Sequence, residues 1–313
     1  MDVNRSADAR LVSVCIPTCR RPQLLIDCLN GVLLQETVGF RIEVVVVDND
    51  PRCSARAAFE EWSGQTALDT RYVSEPRPNI ALARNAALTH ARGDWIAFVD
   101  DDEVPERRWI ESLLRCAEAC QADGVLGPVL PRFIPPAPQW LMDSGLCSRK
   151  NFPTGTPLTD SRQMRTGNVL LHRRLFDAEP APFDPRFGLT GGEDAVFFRR
   201  KLEQGGRFVW CDEARVHEVV PAERQRLGYH IHRALLRGVS EADSVPFLTL
   251  ATLKSIIAIP VYAMLLPCLA VVSFPRFARY LVKLADHAGK LAAYVGLRPV
   301  KERPSAHPTD QVN

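Results

Sequence analysis

Four acidic residues in a row, Asp100-Asp101-Asp102-Glu103, concentrate more chemistry than any other stretch of this chain. They follow Trp95-Ile96-Ala97-Phe98-Val99, an apolar run with the length and composition of a buried strand. Carboxylates crowded at a strand end repel one another, and a cation relieves that repulsion. Hard oxygen donors delivered to the carboxyl edge of a sheet suit Mg²⁺ or Mn²⁺ carrying a diphosphate. The plainer alternative is a solvated acidic turn ahead of a helix that starts near Pro105-Glu106. For an isolated triplet the plainer alternative prevails, so the neighbouring elements decide.

Those elements alternate. Residues 11–16 form a first apolar strand that breaks at Pro17-Thr18. Arg20-Arg21-Pro22 lead into a helix to about Leu34, with an apolar stripe through Leu25, Cys28, Leu29 and Val32. Residues 41–47 form a second strand whose four consecutive valines predict burial on both faces. It ends on the turn Asp48-Asn49-Asp50-Pro51. Ser54 is placed to cap a helix to about Trp62. A short strand at 71–74, a helix at 80–91 and the strand at 95–99 follow. This alternation predicts a largely parallel sheet with helices on both faces. Ligands of such sheets bind beyond the carboxyl ends of the strands, and Thr18, Asp48 and the acidic triplet share that edge.

Further on, a helix is predicted over 106–122 and a strand near 125–130. A proline-rich, irregular segment then runs to Gln139-Trp140-Leu141, either a functional loop or a surface wrap. Residues 166–171 read as a strand, 195–204 as a helix stopped by Gly205-Gly206, and 208–210 and 214–216 as short strands. Residues 223–237 read as a basic amphipathic helix. Net charge is only +2, which gives no reason to expect nucleic acid. The nine cysteines show no C-x-x-C spacing, so reduced, mostly buried thiols are expected. The first ten residues are polar and lack an apolar signal core.

Several ordered motifs give these pieces a family likeness. They are the opening Val-Ser-Val-Cys-Ile-Pro-Thr18, the strand ending at Asp48, and Asn79-Ile-Ala-Leu-Ala-Arg-Asn85. The run from Ala91 through Asp102 and the turn Gly191-Gly192-Glu193-Asp194 complete the set. Over about residues 11–237 the chain resembles glycosyltransferase family 2, inverting sugar-nucleotide enzymes of the GT-A type. It is most similar to glucosyltransferases of succinoglycan-type exopolysaccharide assembly, which act on lipid-diphosphate-linked oligosaccharides at the inner membrane.

The resemblance implies an α/β class fold, a GT-A type, Rossmann-like α/β/α sandwich with a mostly parallel central sheet. It implies that Pro17 and Thr18 line a nucleotide pocket, and that Asp48 accepts from the uracil imide or else holds its own turn. Arg20 reaches the same pocket or stays solvated. Arg84 lies near base and diphosphate, or pairs with an acid of the triplet. Asp100 and Asp101 contact the ribose or nucleoside. Asp102 binds the divalent metal, Mg²⁺ or Mn²⁺, and the one-residue gap from Asp100 predicts that both point to one side of an extended strand end. His217 completes the metal or diphosphate site or is an ordinary polar residue. Asp194 is the candidate catalytic base, on a glycine-rich turn where the helix N-terminus favours negative charge. Glu193 is then a structural or acceptor-binding neighbour; the alternative is that both acids merely cap the helix. Asn85 is expected to organise its loop, Trp140 to stack on a sugar or be buried, and Thr166-Gly167-Asn168 to lie under the acceptor site. Family members usually carry glycine near Ile80, so the loop path there is open. The processive Gln-x-x-Arg-Trp motif is missing at 223–229, which favours single-sugar transfer.

Residues 255–275 are uncharged for 21 residues, long enough to cross about 30 Å of hydrocarbon as a helix, but Pro260 and Pro267 interrupt them. Basic residues flank both sides, which argues against a simple crossing. The expectation is a broken re-entrant or interfacial helix pair; the alternatives are one span or a dimer interface. The expected organisation is a flexible 1–10, a catalytic domain over 11–237, an apolar and basic membrane-associating segment over 238–300, and a disordered 301–313. The expected function is transfer of one sugar, with UDP-glucose as the leading donor, to a lipid-linked saccharide on the cytoplasmic face of the inner membrane. A rhamnosyl or other sugar from a different nucleotide, a non-catalytic sugar-nucleotide scaffold, and a nucleotidyltransferase are the competing readings. The last usually needs an early glycine-rich phosphate loop, where this chain has Pro17-Thr18-Cys19-Arg20.

Overall fold

The computed structural model describes residues 10–177, 179–188, 191–244 and 246–297. The expected flexible N-terminus (apart from Arg10) and disordered tail lie outside these residues. In chain order the elements are β1 (Arg10–Thr18), α1 (Pro22–Leu33), β2 (Phe40–Asp48), α2 (Arg56–Ser63), β3 (Asp69–Ser74), α3 (Ile80–His90), β4 (Trp95–Val99) and β5 (Glu103–Pro105). Next come α4 (Trp109–Cys120), β6 (Gly124–Leu126), β7 (Val129–Phe133), α5 (Gln139–Ser144), β8 (Asn168–His172), α6 (Glu193–Glu203), β9 (Phe208–Trp210) and β10 (Val216–Val220). Three long helices close the chain: α7 (Leu227–Ser244), α8 (Leu250–Val272) and α9 (Phe274–Tyr294). The chain divides into two units, one of residues up to 132 plus 149–219, the other of 133–148 plus 220 onward.

The first unit is built on a seven-stranded sheet in the order β3-β2-β1-β4-β8-β6-β9. Only β8 runs against its neighbours, pairing antiparallel with both β4 and β6; the other pairs are parallel. The strands obey the period of two. Val12, Val14, Ile16, Val44, Val46, Ala97 and Val99 pack with α1, α2 and α4 on one face. Cys15, Val45, Val47, Ile96 and Phe98 pack with α3 and α6 on the other. The four-valine run of β2 is buried on both faces, as its composition requires. A second sheet, β5-β10-β7, was not foreseen: its strands are too short to show an alternation. The proline-rich segment likewise holds β7 and α5, and Pro128 falls between β6 and β7.

Start and stop signals explain most helix ends. Pro22 opens α1, and the Asn79 side chain accepts from the Ala81 and Leu82 N–H groups to cap α3. The expected cap from Ser54 on α2 is replaced. Asp48 Oδ2 reaches across to accept the Ala55 N–H at 2.9 Å.

In the second unit, α7 packs on α9, with Ala234, Val282 and Ala285 buried between them. Residues 227–237, grouped by sequence with the catalytic domain, therefore belong to this helical cluster. Helix α8 runs unbroken through Pro260 and Pro267, contrary to the expected interruption. It lies antiparallel to α9 along its length. Thr252 meets Tyr294, Ser255 Oγ lies 2.9 Å from His287 Nδ1, and Tyr262 packs on Tyr280.

Phe197 of α6 is fully buried, with its ring against Phe176, Phe183 and Phe198. Phe197→Ala is expected to destabilise the chain by about 3–5 kcal/mol through lost burial and a cavity, read as a fall in the denaturant midpoint.

Candidate active site

The acidic stretch is a turn rather than an extended strand end. The Glu103 N–H donates to the Asp100 carbonyl at 3.1 Å, closing the chain on itself. The carboxylates therefore diverge, instead of Asp100 and Asp102 pointing one way. Asp100 faces Arg84 at 3.5 Å. Asp101 accepts from the Thr18 hydroxyl at 2.8 Å and from Arg21 at 3.3 Å. Asp102 accepts from the same Arg21 nitrogen at 3.1 Å. Glu103 turns inward: Oε2 accepts the Asp100 N–H at 3.2 Å, and Oε1 is buried without a hydrogen-bond partner.

Each partner arrives on a separate element. Thr18 ends β1, directly paired with Asp48 at the end of β2, and Pro17 is buried beside it. Arg21 immediately precedes α1, and Arg84 is carried by α3. Gly167, just before β8, lets the backbone come against the acids: a Cβ there would lie 2.7 Å from Glu103 Oε1 and 3.0 Å from Asp100 Oδ2. Asn168 then anchors that backbone, donating to the Pro128 and Ala214 carbonyls and accepting from the Trp109 indole.

The Gly191-Gly192 turn is tied to the same place. Both glycines have positive φ, 87° and 103°, which favours glycine as the chain swings into α6. Glu193, buried at the first position of α6, forms an ion pair with Arg84, the residue that also faces Asp100. Arg84 thus links the acidic turn to the turn that carries Asp194. The Asp194 side chain is 13% exposed, accepts the Ala195 N–H at 2.8 Å and lies 3.9 Å from Arg165 Nε. Asn85 accepts from the Phe183 N–H and donates to the Phe183 carbonyl, tying α3 to the loop ahead of α6.

Three expected site residues look elsewhere. Asp48 is fully buried, and its oxygens are taken by the Asp50 and Ala55 N–H groups and the Tyr72 hydroxyl. Of its two readings, the turn-holding one describes this geometry. Arg20 adopts φ 56° and pairs with Asp50 at 3.1 Å, sending its charge to the β2 turn. His217 sits opposite Val104 in the β5–β10 ladder, and its Nε2 meets Glu106 at 2.9 Å. Directly paired residues share a face of a ladder. Glu218, opposite Glu103, is therefore the one on the acid side, bound to Arg149 at 2.7 Å. Of the two readings of His217, the ordinary polar pair describes this geometry. Sequence reading missed Arg21, which counters two of the acids, and the Arg84–Glu193 pair. Nothing in Arg20-Arg21 shows which arginine turns toward the triplet.

Burial, followed by the Arg21 and Asp102 charges acting in opposite senses, pushes the Asp101 carboxyl up to about 7. Burial also raises Glu103 well above the usual carboxylate range, with the Asp100 charge adding to it and Arg149 opposing it. Both shifts favour the protonated acids and show how poorly burial in this turn tolerates charge. An all-carboxylate oxygen set with an unpartnered buried oxygen fits a hard divalent cation. Among the described residues, no three His, Cys, Asp or Glu side chains form a metal cage. Mg²⁺ or Mn²⁺ at Asp102, whose side chain is 12% exposed, would draw its remaining ligands from a diphosphate and water.

The model of Glycosyl transferase family 2 matches residues 13–179 of this chain. The succinoglycan biosynthesis protein ExoM of Rhizobium meliloti (strain 1021) is 33% identical, the alignment covering 93% of this chain and 94% of that protein. The mannosyltransferase PcManGT from Pyrobaculum calidifontis, solved with GDP-Man and Mn²⁺, aligns with TM-score 0.59 at 19% identity, covering 93% of this chain and 88% of that one. S. aureus TarS 1-349, solved with UDP-GlcNAc, aligns with TM-score 0.54 at 14% identity, covering 91% and 92%. At those identities the two structures speak for the GT-A fold.

Asp101 yields a linkage prediction. Its folded pKa of about 7 lies above an unfolded value near 3.9, so the folded state binds more protons between them. Stability from this group is thus present at low pH and lost as pH rises toward 7. Asp101→Asn removes that titration, so the thermal midpoint of wild type should fall relative to the variant's as pH rises from about 4 to about 7. Parallel curves would contradict it.

Proposed function

The chain belongs to glycosyl transferase family 2, and we propose from this premise that it moves a single sugar, with inversion, from a nucleotide-sugar donor to a lipid-linked saccharide. The observation that carries the reading is the Arg84 bridge: one guanidinium touches both the acidic turn and the residue next to Asp194. Donor-side and acceptor-side carboxylates then belong to one cleft. UDP-glucose is the leading donor, and a different nucleotide sugar, such as a rhamnosyl donor, is the alternative. A relative named for succinoglycan biosynthesis supports an exopolysaccharide product.

In this reading Thr18 and the backbone beside Pro17 line the nucleotide, and Asp100 and Asp101 meet the ribose or nucleoside. Asp102 holds Mg²⁺ or Mn²⁺. When bound, the ion supplies Lewis-acid neutralisation of the leaving diphosphate. Arg21 offers charge-assisted hydrogen bonds at the same edge once the carboxylates it holds are engaged elsewhere. Asp194 removes the proton of the acceptor hydroxyl as its oxygen attacks the anomeric carbon. Arg165 orients that carboxylate, and Glu193 fixes the turn by pairing with Arg84. A non-catalytic scaffold would have no need of Asp194 at a glycine-built turn. Asp102→Asn should abolish divalent-ion-dependent donor binding. Asp194→Asn should leave donor binding intact and lower transfer by about 10²–10⁴-fold, read as nucleoside diphosphate release with acceptor present. Unchanged transfer by Asp194→Asn would remove the base assignment.

The same proposal places the chain on the cytoplasmic face of the inner membrane through α8. By length and composition, residues 252–272 are apolar enough to cross a bilayer, and 17% of their most apolar window is buried. Yet α9, packed along α8, carries the exposed Arg276, Arg279 and Lys283. Two helices in that pairing suit an interfacial position, with α8 in the acyl boundary and α9 against the headgroups. The chain should remain with membranes in high salt and resist carbonate extraction. Release by salt alone would exclude an embedded α8.

A further inference from the structure

A cavity of about 250 Å³ begins one residue beyond the backbone that packs on the acidic turn. Gly167 packs on Glu103 and Asp100, and the next residue, Asn168, lines the cavity. Its walls carry Arg149, Lys150, Arg162 and Arg165 together with Phe152 and Trp210, and among the described residues no carboxylate lines it. The four cations are not equivalent. Arg162 is matched by Asp160, and Arg149 by Glu218. Arg165 stands 3.9 Å from Asp194. Lys150 has no carboxylate in ion-pair range among the described residues. Its Nζ lies 4.6 Å from the centroid of the Phe152 ring, which in turn meets Trp210 edge to face at 5.5 Å. The Trp210 indole N–H is buried without an acceptor.

This is a pocket with an aromatic floor, a surplus of positive charge and a rim that reaches the candidate base. Aromatic faces suit the apolar faces of a sugar ring, and the cations suit an oxyanion beside it. We propose that the pocket binds an anionic group of the acceptor, a phosphate or a carboxylate, within about one sugar of the hydroxyl that Asp194 faces. The proposal rests on the transferase reading for the identity of the acceptor, and on this chain's own side chains for the charge it must carry. Arg165 spans both functions: it lines the pocket and borders Asp194, so an anion bound there would draw its charge off the base. Lys150 is the principal selectivity residue, since its charge is not matched by a protein carboxylate.

The test uses the full chain in detergent with UDP and Mn²⁺ saturating, so that the donor side is blocked. Calorimetric titration compares glucose 1-phosphate, glucuronate and methyl glucoside. Wild type should bind at least one of the two anionic probes about tenfold or more tighter than methyl glucoside. Preference for glucose 1-phosphate identifies a phosphate-bearing acceptor, and preference for glucuronate an acidic sugar. Lys150→Met should weaken the preferred anion about tenfold, and Lys150→Arg should restore most of it. Donor hydrolysis without acceptor should be the same in all three proteins. Equal affinity for methyl glucoside and both anions, or unaltered anion binding by Lys150→Met, would overturn the proposal. Absence of any donor hydrolysis across a nucleotide-sugar panel would instead count against the transferase reading, and the anion titration would still report on the pocket.

Discussion

The constraint on which this structure turns is the crowding of four carboxylates into one turn at the end of β4. Glu103 is buried, Asp101 nearly so, and only Asp100 is substantially exposed. Water cannot screen such a group well, so the protein must supply the opposing charge. It does so from three elements far apart in sequence: Arg21 before α1, Arg84 on α3, and Arg149 ahead of β8, whose charge opposes Glu103. Each of these contacts also fixes the position of its own element, so the electrostatic requirement of one turn sets the shape of the cleft.

Arg84 shows how strong that coupling is. It is buried between Asp100 and Glu193, and its Nε and the second Glu193 oxygen have no hydrogen-bond partner. A buried pair of this kind adds little net stability over an apolar replacement, but removing one member leaves an uncompensated charge, a loss of about 3–5 kcal/mol. Its value lies in registry. It holds the Gly191-Gly192 turn against the acids and so sets where Asp194 stands.

The second unit answers a different problem. Helix α8 exposes Leu253, Ile256, Ile257, Met264 and Val271, while a polar seam of Thr252, Ser255 and Tyr262 faces α9. Prolines at 260 and 267 remove backbone donors, yet the helix continues, as apolar helices with packed neighbours allow. Stability there comes from α9, whose charged residues oppose full burial in hydrocarbon.

Local pattern alone determined the parallel strands β1 to β4, their helices, the acidic turn's position at a sheet edge and the glycine-opened α6. Those follow from period, burial and turn chemistry, which a chain carries within a few residues. The likeness to glycosyltransferase family 2 was legible for the same reason, since its motifs sit on those strand ends. Tertiary structure alone decided the partners. Asp48 holds Ala55 and Tyr72, Arg20 turns to Asp50 while Arg21 takes the triplet, and His217 faces Glu106 rather than Asp102. Which charge meets which depends on strand register and on one left-handed residue at Arg20, and both are fixed by contacts between segments separated by tens of residues.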